Sequence, residues 1–341
     1  MQRYIATLLL LILLTGCAPK TPTLLAEWDI TGYTYNDLVW SQDSKVFAVN
    51  YSVEGNEPTS LDYFVQAFSV ESLESIWVAK DSKAWNLAFT PNESLLAETS
   101  VMSGHGTLYL RDMQQGNIIR QLEARNCGGG WAARSNPSKN TLLVADTNRF
   151  IGLNADNLAF INQWDLKTGQ CQEVVQYYGS FDIFDVNANG NLLAYGGEGK
   201  DDAVVIWDIE KRTEICRTDE VDTGRFIPKQ NVLAVIRDQK MIFLDAISCE
   251  KLNELPVSTE GNYLAFSPDG QQFVIAADTI ELREVATGEL VSQIPYPQNT
   301  FLFDNNFSSG EIKFSPDGHY LLIALGTESD YCVKIQLWQL Q

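Results

Sequence analysis

Two stretches of this chain, LAFSPDGQQFVIA at Leu264–Ala276 and IKFSPDGHYLLIA at Ile312–Ala324, write one turn twice. In each, an apolar strand enters a turn in which Pro presets φ and Asp-Gly supplies the positive φ that closes it. A second strand rich in Leu, Val, Ile and Ala then leaves, the signature of a β-hairpin. Sliding the same frame along the chain finds five degraded copies, VWSQDSKVFAV at Trp40, AFTPNESLLAE at Phe89, RSNPSKNTLLVA at Ser135, DVNANGNLLAY at Val186 and RFIPKQNVLAV at Phe226. With Phe266 and Phe314 these anchors make seven repeats, 40 to 51 residues apart.

Most hairpins are followed by a second one, TLYLRDMQQGNIIRQL, FINQWDLKTGQCQEVV, AVVIWDIEKRTEICRT, MIFLDAISCEKLNEL and IELREVATGELVSQI. Each alternates apolar residues, turns at polar or Gly residues and returns. Four strands per repeat at this period describe a β-propeller. FSPDG together with IWD at Ile206–Asp208 and QWD at Gln163–Asp165 resembles the WD-repeat family and similar bacterial propellers. The resemblance covers residues 24–341 and implies an all-β, seven-bladed propeller with four-stranded antiparallel blades. It departs from the family in lacking the Gly-His dipeptide. With only His105 and His319 in the chain, the family's His-Ser-Asp-Trp network cannot form in most blades. The seventh repeat supplies three strands up to VKIQLWQLQ, whereas LLAEWDI, Leu24–Ile30, precedes the first hairpin without a partner. Pairing Leu24–Ile30 with Val333–Leu340 would complete the last blade and leave no open edge.

The beginning of the chain reads as a targeting segment. Arg3 gives a basic start, Ile5–Leu14 is an apolar run too short to span a bilayer, and Leu14–Cys17 (LTGC) resembles the bacterial lipobox. The expected organisation is a lipoprotein signal peptide at 1–16, a lipidated Cys17 and tether at 17–23, and the propeller at 24–341. Lipidation would hold the protein on the extracytoplasmic side of a membrane without crossing it. Ala18, in place of a retention Asp, favours the outer membrane facing the periplasm if the source is Gram-negative.

Composition narrows the partners. A net charge of -20, from 24 basic and 44 acidic residues, would repel nucleic acid and anionic lipid over most of the surface. Beyond Cys17 the cysteines are Cys127, Cys171, Cys216, Cys249 and Cys332, an odd number that leaves at least one free thiol. No CxxC spacing supports zinc. Cys171, Cys216 and Cys249 occupy similar places in successive outer hairpins and read as small, half-buried apolar side chains, with pairing left open.

Three motifs mimic chemistry. Asp185–Asn191 (DVNANGN) begins like a calcium loop but places Gly196 where a bidentate Glu belongs. Gly196–Asp202 (GGEGKDD) lacks the Ser or Thr and the helix of a phosphate loop. His105 and His319 read as surface turn residues. No catalytic residue, metal or cofactor is assigned. Candidate recognition residues are aromatics in long connections, Trp131, Tyr177, Tyr178, Phe181, Phe301, Phe303 and Phe307, with Tyr296 nearby; the competing arrangement folds them back to plug the channel. Ser52–Tyr63 and Asp146–Asn157 read as further long loops. The expected function is a lipid-anchored scaffold for an envelope or periplasmic protein. The alternative is a propeller enzyme or a small-ligand or calcium sensor with its site at the central channel.

Overall fold

The computed structural model describes residues 21–31, 33–54, 61–82, 84–91, 95–99, 106–124, 127, 130, 132–147, 158–178, 183–196, 203–219, 221–257, 263–276, 279–297, 300–301, 311–327 and 332–340. They form seven antiparallel sheets, one per repeat, taken below as blades 1 to 7 in the order of their hairpins. In blade 3, for example, the inner strand Ala132–Asn136 pairs with Thr141–Thr147, then Leu158–Asp165, then the outer strand Cys171–Tyr178. The inner strands of consecutive blades touch in turn, and that of blade 7, Glu311–Phe314, returns to that of blade 1, Tyr33–Trp40. The sheets therefore close into a ring, a seven-bladed β-propeller.

The seam lies where the sequence places it. Thr23–Thr31 forms the outer strand of blade 7, antiparallel to Cys332–Gln339, with Ile30 opposite Val333 and Trp28 opposite Ile335. Lys334 Nζ binds Glu27 and Asp29 across this joint at 2.8 and 2.6 Å. Trp28 packs with its ring centroid 5.4 Å from Phe47 and 5.1 Å from Phe68, so the closing strand also grips blade 1.

The core is divided among the joints between blades. Leu142 and Val144 pack towards blade 2 beside Ala88 and Leu110, whereas Leu143 and Ala145 pack towards blade 4 beside Leu193 and Tyr195. Both faces of a second strand are thus buried, which is why these strands read as continuous apolar runs rather than alternating ones.

The repeated turn has a shared chemistry. Ser41, Thr90, Asn187, Ser267 and Ser315 each accept, through the side-chain oxygen, the backbone N–H five residues on, at 2.9–3.0 Å. Ser267 and Ser315 also donate to Asp269 and Asp317 at 2.6 Å, and Gly270 and Gly318 hold φ at +73° and +77°. The DVNANGN segment is one such turn. Asn187 Oδ1 accepts from Asn191 and Leu192, and Asp185 belongs to the strand Ile183–Val186.

Four expectations need correction. Cys171, Cys216 and Cys249 are not apolar fillers: Cys127 bonds Cys171 and Cys216 bonds Cys249, tying blade 3 to the segment before it and blade 4 to blade 5. Tyr177 is not a loop residue; it ends up inside the outer strand of blade 3, 5% exposed, edge-on to Tyr195 at 5.4 Å. Strand pairing continues to Glu54 opposite Leu61, shortening the expected Ser52–Tyr63 loop. Likewise Thr141–Thr147 and Leu158–Asp165 occupy both ends of Asp146–Asn157.

Candidate functional site: the central channel

Strand direction alternates across each blade, so the turns after the first and third strands share one face, and the connections between blades share the other. On the first face the repeated turns interlock around the channel mouth. Asp317 N donates to Ser44 Oγ, Asn136 Nδ2 to Gly190 O at 2.8 Å, and a Cβ on Gly270 would lie 2.6 Å from Pro228 O in the preceding blade. Pro91, Pro137, Pro228, Pro268 and Pro316 collar this mouth. The anchors Trp40, Phe89, Phe226, Phe266 and Phe314 wall the cavity of about 630 Å³ beneath it.

Deeper in the cavity the walls are charged. Lys313 Nζ sits 3.2 Å from Asp37 Oδ1 and 2.5 Å from Glu311 Oε1, and it also donates to Leu38 O. Asp37 accepts from the N–H of Leu38 and of Leu87 in blade 2, both at 2.8 Å. Removal from water pushes its carboxyl up to about 6, opposed by Lys313 and reinforced by Glu311. Trp40 Nε1 donates to Lys313 O at 3.2 Å, completing a polar lock between blades 7 and 1.

On another arc, Arg134, Asp185 and Arg225 occupy the position before the anchor in blades 3, 4 and 5. Asp185 Oδ2 accepts the Phe226 N–H at 2.8 Å. Arg134 and Arg225 each donate Nη1 to the carbonyl of the preceding residue at 2.9 Å. Arg134 also lies 5.9 Å from the Phe184 ring centroid. Burial lowers the Arg225 pKa, with the neighbouring Arg134 charge acting in the same direction and Asp185 and Glu311 opposing.

Among the described residues, the cavity at the inner-turn mouth is lined by three cations, Arg134, Arg225 and Lys313, and two carboxylates, Asp185 and Glu311, behind an apolar collar. These groups escaped sequence reading because the positions before the anchors vary freely between repeats. Among the described residues, no group of three or more His, Cys, Asp or Glu is placed to hold a metal.

Of the expected recognition residues, Tyr178 is 40% exposed at the end of the outer strand of blade 3, on the connection face. Phe301 is described by its backbone, in a short strand opposite Gly326. Trp131, Phe181, Phe303 and Phe307 lie outside the described residues, as do Cys17, His105 and residues 197–202. Tyr296 is partly buried against the core between blades 6 and 7. His319 is exposed on its turn, 3.2 Å from Asp317.

The third-strand Trp positions show how the repeat has diverged. Trp164 and Trp207 bury their Nε1 without an acceptor among the described residues. At the equivalent place in blade 2, Arg111 is buried against Glu98 and donates to Gly116 O at 2.6 Å.

The chain is therefore a seven-bladed β-propeller, its last blade completed by the strand Thr23–Thr31. Among solved structures it is similar to a chain in the crystal structure of the mitotic checkpoint complex, at TM-score 0.67 and 17% identity, over 100% of this chain and 99% of that one. No family model and no curated protein matches the sequence.

Proposed function

We propose that this propeller is a rigid interaction platform held at a membrane by lipid on Cys17, and that it binds a protein of the cell envelope through its connection face. The observation that carries this is the closed ring, with each joint independently packed and the last one locked by Trp28 and Lys334. Such a frame fixes the loops on its face at little entropic cost, which favours recognition by complementarity. The similar propeller is found in a multi-protein complex, and this supports the same use here. The exposed Tyr178 supplies an aromatic contact of the kind that dominates interface energetics. Two disulfides between adjacent segments of the ring suit an oxidising compartment outside the cytoplasm, the destination that the LTGC motif implies.

The test is in-cell crosslinking of the full chain beside a Tyr178→Asp, Phe303→Asp double variant with an unchanged melting temperature. A reproducible partner that the variant loses is the expected result. A set of crosslinks indistinguishable from background would overturn the platform reading. Separately, Cys17→Ser should move the protein out of the membrane fraction and abolish the lipid mass on its N-terminal peptide. Unchanged membrane association would remove the anchor from the proposal.

A further inference from the structure

We propose that the channel mouth on the inner-turn face binds a carboxylate ligand, its head between the guanidinium groups of Arg134 and Arg225 and its apolar body against the proline and aromatic collar. This site lies on the opposite face from the platform surface and stands or falls without it.

A guanidinium offers five N–H donors in a planar fork matched to a carboxylate. Among the described residues, Arg134 and Arg225 each make one hydrogen bond, to a backbone carbonyl, and no ion pair within 4 Å. The nearest acid in their arc, Asp185, already accepts the Phe226 N–H. Two cations therefore face one occupied carboxylate in their own arc, with Glu311 acting on Arg225 from blade 7 but paired to Lys313, and the surroundings withdraw Arg225 from water while Arg134 repels it. An incoming anion would relieve both effects. Across the cavity the third cation is satisfied, since Lys313 is bracketed by Asp37 and Glu311. The positive arc thus has a definite place in blades 3 to 5.

The rest of the cavity argues for an apolar body on that head. Its volume of about 630 Å³ falls in the range of small-molecule sites, and its rim consists of proline and aromatic side chains. With a net charge of -20 the protein does not steer anions from a distance. Selection must come from short-range bidentate pairing together with burial of the stem, which disfavours small inorganic anions and polyanions alike.

The probe is 3-phenylpropionate, an aromatic stem bearing one carboxylate, compared with 3-phenylpropionamide by ligand-observed NMR on the full chain. The acid should bind saturably and the amide about tenfold more weakly or worse. Arg134→Gln and Arg225→Gln should each weaken the acid about tenfold while leaving the amide unchanged, whereas Lys139→Gln on the exposed surface should alter neither. Equal binding of acid and amide, or no binding of the acid at about 5 mM, would overturn the site. So would normal acid binding by both arginine variants. If those variants melt early, the acid and amide comparison on the unaltered protein decides. The peptide Gly-Gly-Phe with a free terminus separates two sources of the carboxylate. Binding tighter than 3-phenylpropionate assigns the site to a peptide C-terminus, and weaker binding assigns it to a small molecule.

Discussion

At the scale of single residues, the FSPDG turn is held by one hydroxyl and one glycine. Ser267→Ala removes the acceptor of the Gln272 N–H and should cost about 1 kcal/mol in urea unfolding. Gly270→Ala should cost more, because φ is +73° and the new methyl would press on a backbone oxygen 2.6 Å away. Titration adds a second prediction. Burial pushes Asp146 up to about 6, so its proton is held more tightly in the folded state than in the unfolded one. Its contribution is present below about pH 4 and lost as pH rises to about 6, with Asp37 acting in the same sense. Backbone N–H groups hold Asp112, Asp165 and Asp245 below the usual range, and those turns weaken only as pH falls below about 4. Stability should therefore decline from pH 4.5 to 7, and Asp146→Asn should flatten that decline by about 2 kcal/mol. An unchanged slope in the variant would remove Asp146 as its source. The turns were legible because their bonds join residues five apart. The Glu98–Arg111 pair was not, since Arg111 stands where blades 3, 4 and 7 have Trp, and nothing local announces the burial of a charge. Removing one partner, as in Arg111→Met, should cost about 3 to 5 kcal/mol in the same unfolding assay.

At the scale of elements, the outer turns explain what the cysteines do. Gly116, Gly169 and Gly288 hold φ at 73–75° and receive Trp77, Leu122 and Leu255 from the outer strand of the preceding blade. Blade 5 has Cys249 at this position, with φ at 63°, and the side chain arriving from blade 4 is Cys216. A covalent bond replaces a packing contact. The clue in the sequence was a non-glycine residue where the repeat calls for glycine, but the partner becomes visible only when blades are placed side by side. Reduction should lower the unfolding free energy by about 2 to 4 kcal/mol per bond, and Cys216→Ala, Cys249→Ala should reproduce its share. No change under reductant would mean that the bonds are absent in solution. The closing strand was readable because an unpaired first segment and a three-strand last repeat are features of the repeat count itself. Removing residues 21–31 should expose the edge at 332–339 and produce oligomers on size exclusion, with a lower melting temperature.

At the scale of the whole molecule, the fold was legible and the site was not. Seven repeats of four strands, each marked by the same turn, specify a ring, whatever fills its centre. The charges in the channel belong to positions that vary between blades, and their meeting depends on ring geometry rather than on any local pattern. Glu27 and Lys334, joined in the finished molecule, are 307 residues apart, so the first strand made is among the last to find its partner. Until then six blades can assemble by short-range contacts while the seventh lacks its edge. Refolding should accordingly show a late phase, reported by Trp28 fluorescence, that trails the appearance of β-sheet circular dichroism. Simultaneous signals would mean that the ends meet early. The propeller would then behave as a ring that is fastened at the last moment, and anything drawing its N-terminus away before that moment would compete with folding itself.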